Sequence, residues 1–140
     1  MMKKEKINSI KYKNFIDGLK LLNIRILSSG TSVDEKFLPP ANLELNQRKK
    51  YIKTEGNIFK VIHEYTLKGI KNGEASPGFK IKVKYQIIYK SDIPITDDIF
   101  KIFSQTNLLL HTWPYFRQFV HEMTNRMGLP PLVLDVLKIK

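Results

Sequence analysis

No cysteine occurs among the 140 residues, which excludes disulfides, thiolate zinc sites and cysteine nucleophiles. No stretch approaches the roughly 20 apolar residues needed to cross a bilayer. The start Met1-Met2-Lys3-Lys4-Glu5-Lys6 has the basic end of a signal peptide, but Asn8, Ser9, Lys11, Lys13 and Asn14 break any apolar run behind it. A cytoplasmic chain without membrane insertion is expected. Alanine occurs twice, and arginine supplies only 4 of the 24 basic residues. Bidentate grips on phosphate or guanine favour arginine, so its scarcity weakens a nucleic-acid reading.

What is present is an ordinary globular composition, 42% hydrophobic and 26% charged, at a length that buries a core without staples. The formal charge of +11 is unevenly spread. Residues 1–90 hold 19 Lys and Arg against 8 Asp and Glu, whereas residues 91–140 hold 5 against 5. Because Lys, Ile and Asn are all abundant, a solvated lysine surface is preferred to a polyanion site.

The hydrophobic period changes once, from 2 to 3.6, dividing a strand-rich part from a helical part. Residues 1–18 read as an N-terminal extension, with a short amphipathic helix over 5–17 ended by Gly18, and residues 19–140 as one domain. Leu22, Ile24 and Ile26 mark a first strand. Gly30-Thr31-Ser32 and Pro39-Pro40 then bracket a loop carrying Phe37 and Leu38. A second strand runs from Leu43 to Ile52, less regular because Arg48-Lys49-Lys50 interrupts it. The third places Phe59, Val61, His63, Tyr65 and Leu67 on one face. In the fourth, Phe79, Ile81, Val83, Tyr85, Ile87 and Tyr89 alternate with a comb that includes Lys80, Lys82 and Lys84, after a turn at Asn72-Gly73 and Pro77-Gly78. One face of the sheet is therefore covered and the other wet.

Beyond Pro94 the spacing predicts a helix over 97–110, capped by Thr96 with Asp97 and Asp98 in its first turn. It is apolar enough to need the sheet and a second partner. A second helix is expected from Pro114 to a stop at Gly128, with Trp113, Phe116, Val120, Met123 and Met127 as its stripe. An extended tail follows.

No catalytic constellation stands out. His63 on an apolar strand face reads as a core histidine, His111 and His121 lack metal-ligand spacing, and Asp97-Asp98 is explained by the helix start. There is no phosphate-cradling glycine loop and no nucleophile elbow. Neither metal nor cofactor is implied, and an enzyme is the least favoured class.

Thr112-Trp113-Pro114-Tyr115-Phe116-Arg117, followed by Met127-Gly128-Leu129-Pro130-Pro131-Leu132-Val133-Leu134, resembles the SecB-like family of protein-export chaperones, which carry an aromatic-Pro-Tyr-x-Arg stretch opening the long helix and Pro-x-Leu-x-Leu after it. The resemblance implies an α+β fold, a SecB-like four-stranded antiparallel sheet with two C-terminal helices packed on one face. It also implies assembly as a dimer of dimers and an ATP-independent holdase that binds unfolded client polypeptides in apolar grooves. Carried onto this chain, the client-binding positions are Phe37, Leu38, Tyr51, Ile52, Trp113, Phe116, Phe119 and Met123. For Trp113 and Phe116 plain core packing stands beside that role, and Phe37 is the best candidate because its loop has little structural need of it. An oligomer contact is expected around Phe103, Leu108 and Leu109.

Two departures matter. Export members present an acidic sheet face and a C-terminal tail to the motor protein SecA, whereas here the comb is lysine and the sequence stops at Lys140, which puts SecA docking in doubt. SecB-like proteins outside the export pathway include chaperones dedicated to the antitoxin of a toxin–antitoxin pair and members encoded on mobile elements, and that group is matched at least as well. The rival class is nucleic-acid binding on the lysine comb, disfavoured because Tyr85 and Tyr89 fall on the opposite face and cannot stack bases there. A protein that only assembles with itself or one fixed partner is the third class.

Overall fold

A computed structural model describes residues 9–130 and 132–134 of the chain. Helix α1 (Ser9–Asp17) precedes strands β1 (Lys20–Val33), β2 (Asn42–Lys53), β3 (Ile58–Ile70) and β4 (Phe79–Lys90), and helices α2 (Asp97–Phe103) and α3 (Asn107–Arg126) follow. The strands form one antiparallel sheet in the order β1-β4-β3-β2. Consecutive strands β1 and β2 therefore occupy opposite edges, and the segment joining them crosses the end of the sheet.

The period-2 alternation of β3 and β4 decides which face is covered. Phe59, Val61, His63, Tyr65 and Leu67 are buried beside Phe79, Ile81, Val83, Tyr85, Ile87 and Tyr89, while the residues between them point to the open face. All three helices pack on the covered face. Phe15 of α1 meets Phe59, Phe103 of α2 meets Tyr89, and Phe116 of α3 stacks on Tyr65 at 4.3 Å between ring centroids. Full burial of such rings stabilises by roughly 1.5–3 kcal/mol each, so the core lies over β3 and β4.

Several expectations are revised. Gly30, Thr31 and Ser32 belong to β1, paired with Lys82, Ile81 and Lys80; an edge strand tolerates such residues because one of its sides faces water. The helix expected over 97–110 breaks at Ser104-Gln105-Thr106. The break is held from afar: Lys49 Nζ donates to the Ser104 carbonyl at 2.8 Å, and Tyr12 Oη to the side-chain oxygen Oδ1 of Asn107 at 2.8 Å. Pro114 lies inside α3 rather than at its start. It leaves the carbonyl of Leu110 without its helical donor, and Leu110 is exposed, so water can satisfy it.

Phe15, fully buried, ties residues 9–17 into the same core as the sheet; residues 5–8 of the expected helix lie outside the described residues. Phe103 and Leu108, expected between copies, are fully enclosed within one chain. Here α1 supplies the second partner that the apolar excess required, because Phe15 packs edge-on against Phe103 with centroids 6.0 Å apart. Leu109 is half-buried.

Candidate binding groove

Two rings pack at the crossover end of the sheet because two glycines leave room for them. A Cβ on Gly69 would collide with the Phe79 ring, and one on Gly78 with the Phe37 ring. Phe37 and Phe79 meet edge to face, centroids 5.7 Å apart. The crossover is held by Asp34 N donating to the Gly78 carbonyl at 2.8 Å and Phe37 N to the Asp34 carbonyl at 2.8 Å. Phe37 is thus a buried floor residue, which revises its reading as a ring with little structural need.

The facing wall comes from the end of α3. Gly128 adopts φ 79°, the left-handed conformation that a helix stop favours in glycine. Leu129 N then donates to the Thr124 carbonyl and Gly128 N to the Asn125 carbonyl, both at 3.1 Å, which is a Schellman ending. Leu132 N donates to Thr124 Oγ1 at 2.9 Å, and Arg117 Nε to the Leu134 carbonyl at 2.9 Å. These bonds turn the tail back along the β2 side of α3.

Between crossover and tail lies an open, largely apolar groove of about 300 Å³. Phe37 and Phe79 form its floor; Pro39, Pro40, Ala41 and Leu43 form one wall, and Leu129, Pro130 and Leu132 the other. The Pro39-Pro40 bond is cis. Thr124, the one polar residue among the described lining, spends its hydroxyl on the Val120 carbonyl and on Leu132 N, so what the groove presents is shape and apolar surface. Apolar surface continues from it along the covered-face side of β2, where Leu43 is 47% and Leu45 38% exposed, and at the rim Leu38 is 69% exposed. Among the described strands β2 pairs only with β3, which makes it an edge strand of the kind to which an extended chain can add.

The eight residues expected at a client site do not converge. Phe37 is in the groove and Leu38 on the loop at its rim. Tyr51 lies eight residues along β2 from Leu43, roughly 26 Å away; it packs on Phe100 with centroids 4.8 Å apart and donates to Asp97. Burial, then the Asp97 carboxylate, pushes its phenol up to about 12. Ile52 pairs with Lys60 on the open face, so successive residues Tyr51 and Ile52 look in opposite directions. Phe116 is fully buried, and Trp113 packs against it and Tyr65. Phe119 lines a different cleft, about 260 Å³, with Ile24, Ile26 and Tyr115 between β1 and α3. Met123 is four residues on from Phe119, on that same side of α3. The missed groove residues had one signal: the tripeptide Leu-Pro-Pro occurs twice, at 38–40 and 129–131, and each copy contributes to one wall; Pro131 lies outside the described residues.

A chain of polar contacts, exposed at Gln47 and buried beyond it, joins β2, β3 and α3. Gln47 Oε1 is 2.8 Å from His63 Nε2, so that nitrogen donates; His63 Nδ1 then accepts from Thr112 Oγ1 at 3.1 Å, and Tyr65 Oη donates to Thr112 at 2.8 Å. Burial, helped by nearby Lys49, holds the imidazole near 3 and hence neutral. This satisfied network is structural.

No family model and no curated protein sequence matches the chain. Solved structures match its fold. The Mycobacterium tuberculosis SecB-like chaperone Rv1957, in complex with a ChAD peptide from the Rv1956 HigA1 antitoxin, superposes with TM-score 0.74 and 17% identity over 88% of this chain and 92% of that one. A protein of unknown function from Streptococcus agalactiae superposes with TM-score 0.44 and 11% identity over 84% of this chain and 97% of that one. With its four-stranded antiparallel sheet, its helices on one face and that superposition, the chain has the SecB-like fold.

Proposed function

We propose that this chain is a chaperone that holds extended apolar segments of unfolded polypeptides without nucleotide. The observation that carries the reading is the groove between crossover and tail, continuous with exposed Leu43 and Leu45 on a free strand edge. A client strand laid there gains backbone hydrogen bonds from β2 and roughly 25 cal/mol per Å² of apolar surface covered, diminished by the cost of ordering it. The antitoxin peptide carried by the SecB-like neighbour supports a polypeptide ligand. It equally supports the narrower reading, a cytoplasmic chaperone dedicated to one antitoxin, and a toxin–antitoxin pair encoded beside this chain would favour it over a general export role. Self-assembly, as a dimer of dimers, belongs to the same proposal, and docking to SecA stays in doubt.

The test is suppression of aggregation of an unfolded model client, with Leu43→Asp and Leu132→Asp placed in the two walls. Both variants are expected to keep the wild-type far-ultraviolet spectrum and to lose most of the suppression. Full suppression by both would remove the groove from the client site. Phe37→Ala is no clean probe, since truncating a buried ring costs about 3–5 kcal/mol.

A further inference from the structure

We propose that the open face of the sheet docks an acidic segment of a partner polypeptide that also carries aliphatic side chains. The strand register places Lys80, Lys82, Lys84 and Lys90 of β4 on this face with Lys60 and Lys68 of β3, and the edge strands add Lys20, Arg25, Arg48 and Lys50. Against these ten cations the described strands set two acids, Glu44 and Glu64, and Glu64 is already engaged by Lys82 at 3.6 Å. Lys20 sits directly opposite Lys90, and Lys80 opposite Lys68, whose other neighbour in register is Glu44. Like charges in register destabilise a sheet, and solubility alone requires no such opposition. An anion laid across the face relieves it.

The second component is aliphatic. Ile52 is the cross-strand partner of Lys60, Ile88 is its partner on the other side, and Ile58 and Ile62 flank it on β3. These isoleucines make a patch set among the lysines. Nucleic acid offers nothing aliphatic to cover it, and this face has no aromatic ring for bases to stack on. A bilayer is entered by side chains that project from a surface, whereas Ile58, Ile62 and Ile88 are half-buried in the sheet. A polypeptide supplies both chemistries: carboxylates at alternate positions of an extended chain repeat every ~6.6 Å, the repeat of the comb itself. The groove lies on the other side of the sheet, so the two ligands are held independently.

The probe is a fluorescein-labelled synthetic peptide alternating Glu and Ile, followed by anisotropy on the full chain, beside the same peptide with Gln for Glu, a single-stranded DNA and vesicles of anionic phospholipid. The acidic peptide is expected to bind tightest, and to weaken about tenfold both in Lys80→Gln with Lys84→Gln and on raising salt to physiological strength. Ile88→Ser is expected to weaken it about threefold, and the Gln peptide to bind poorly. Leu132→Asp, in the groove, is expected to leave it unchanged. Should neutralising Lys20 and Lys90 as well leave binding unaltered, or should DNA or vesicles bind more tightly than the peptide, the proposal falls. It falls equally if Leu132→Asp abolishes binding, but that result would leave the groove reading standing.

Discussion

Strands β4 and β1 run side by side, and their register pairs side chains of similar kind on the same face of the sheet. Tyr85 opposite Ile26 is 2% exposed while Ile26 is 45%; Tyr89 opposite Leu21 is 0% exposed while Leu21 is 41%. Residue type does not separate these pairs. What does is the line of α3, whose buried stripe Leu108, Thr112, Phe116, Val120 and Thr124 passes over the centre of the sheet and leaves both edges bare. The centre holds the fold together, and the edges hold unspent apolar surface. Apolar, uncovered side chains are what an apolar ligand can use, and on the helix side of the sheet they lie on β2, the crossover and β1.

Phe116→Ala is the sharpest way to test that division. It removes a ring stacked on Tyr65 and should lower the free energy of unfolding in urea by about 3–5 kcal/mol. Ile26→Ala on the edge should cost under about 1 kcal/mol. Comparable losses at the two positions would mean that β1 is covered in solution.

Gly78→Ala brings the comparison to the groove. The added methyl must displace the Phe37 ring, an overpacking that should cost about 2–3 kcal/mol and reduce client capture with it. At Gly30 on β1 a Cβ meets nothing within contact distance, so Gly30→Ala should be neutral to within about 0.5 kcal/mol. A Gly78→Ala protein with wild-type stability and capture would show that the crossover floor is not rigid.

The central strands also carry the pH dependence. His63 is held near 3 when folded, against about 6.5 when unfolded. Above pH 6.5 both states are neutral and stability is whole. Below it the unfolded chain takes a proton that the folded chain refuses, so stability falls as pH falls, by up to about 2 kcal/mol between pH 6.5 and 5. His111, also lowered by burial, adds in the same direction. Urea midpoints across that range should flatten measurably in His63→Gln. An unchanged slope would assign the effect elsewhere.

How much of this was legible in the sequence follows the same division. The comb of β4, the buried face of β3 and the stop at Gly128 were readable because each is set by local period or backbone conformation. Pro114 inside α3 was not, because its freed carbonyl is satisfied by exposure rather than by any neighbouring residue type. Nor was Phe37: its burial depends on Gly78, some forty residues away, having no side chain. The Leu-Pro-Pro pair needed the crossover and the tail to be brought to one end of the sheet before it meant a groove. The expected helical stripe was rotated because Thr112 and Thr124 count as polar in a sequence, yet bond their hydroxyls inside the fold.

The smallest expected effect on stability concerns β1, where self-assembly can be separated from folding. This strand is at the edge, pairs among the described strands only with β4, and turns Leu21, Ile24 and Ile26 toward the helix side, where α3 covers them incompletely. Register shifts at Leu22 and Leu27 interrupt the ladder and leave both leucines exposed. Those bulges blunt the backbone edge, and Lys20 and Arg25 charge its open face, which leaves the exposed apolar side chains on the helix side as the surface another copy can cover. A contact between copies is therefore expected here, in place of the enclosed Phe103 and Leu108. Leu21→Lys with Ile26→Lys should leave urea stability of the chain within about 0.5 kcal/mol per site and shift sedimentation to a smaller species. If the double variant sediments as the wild type does, β1 is not the contact, and a wild-type monomer at micromolar concentration would remove the assembly altogether.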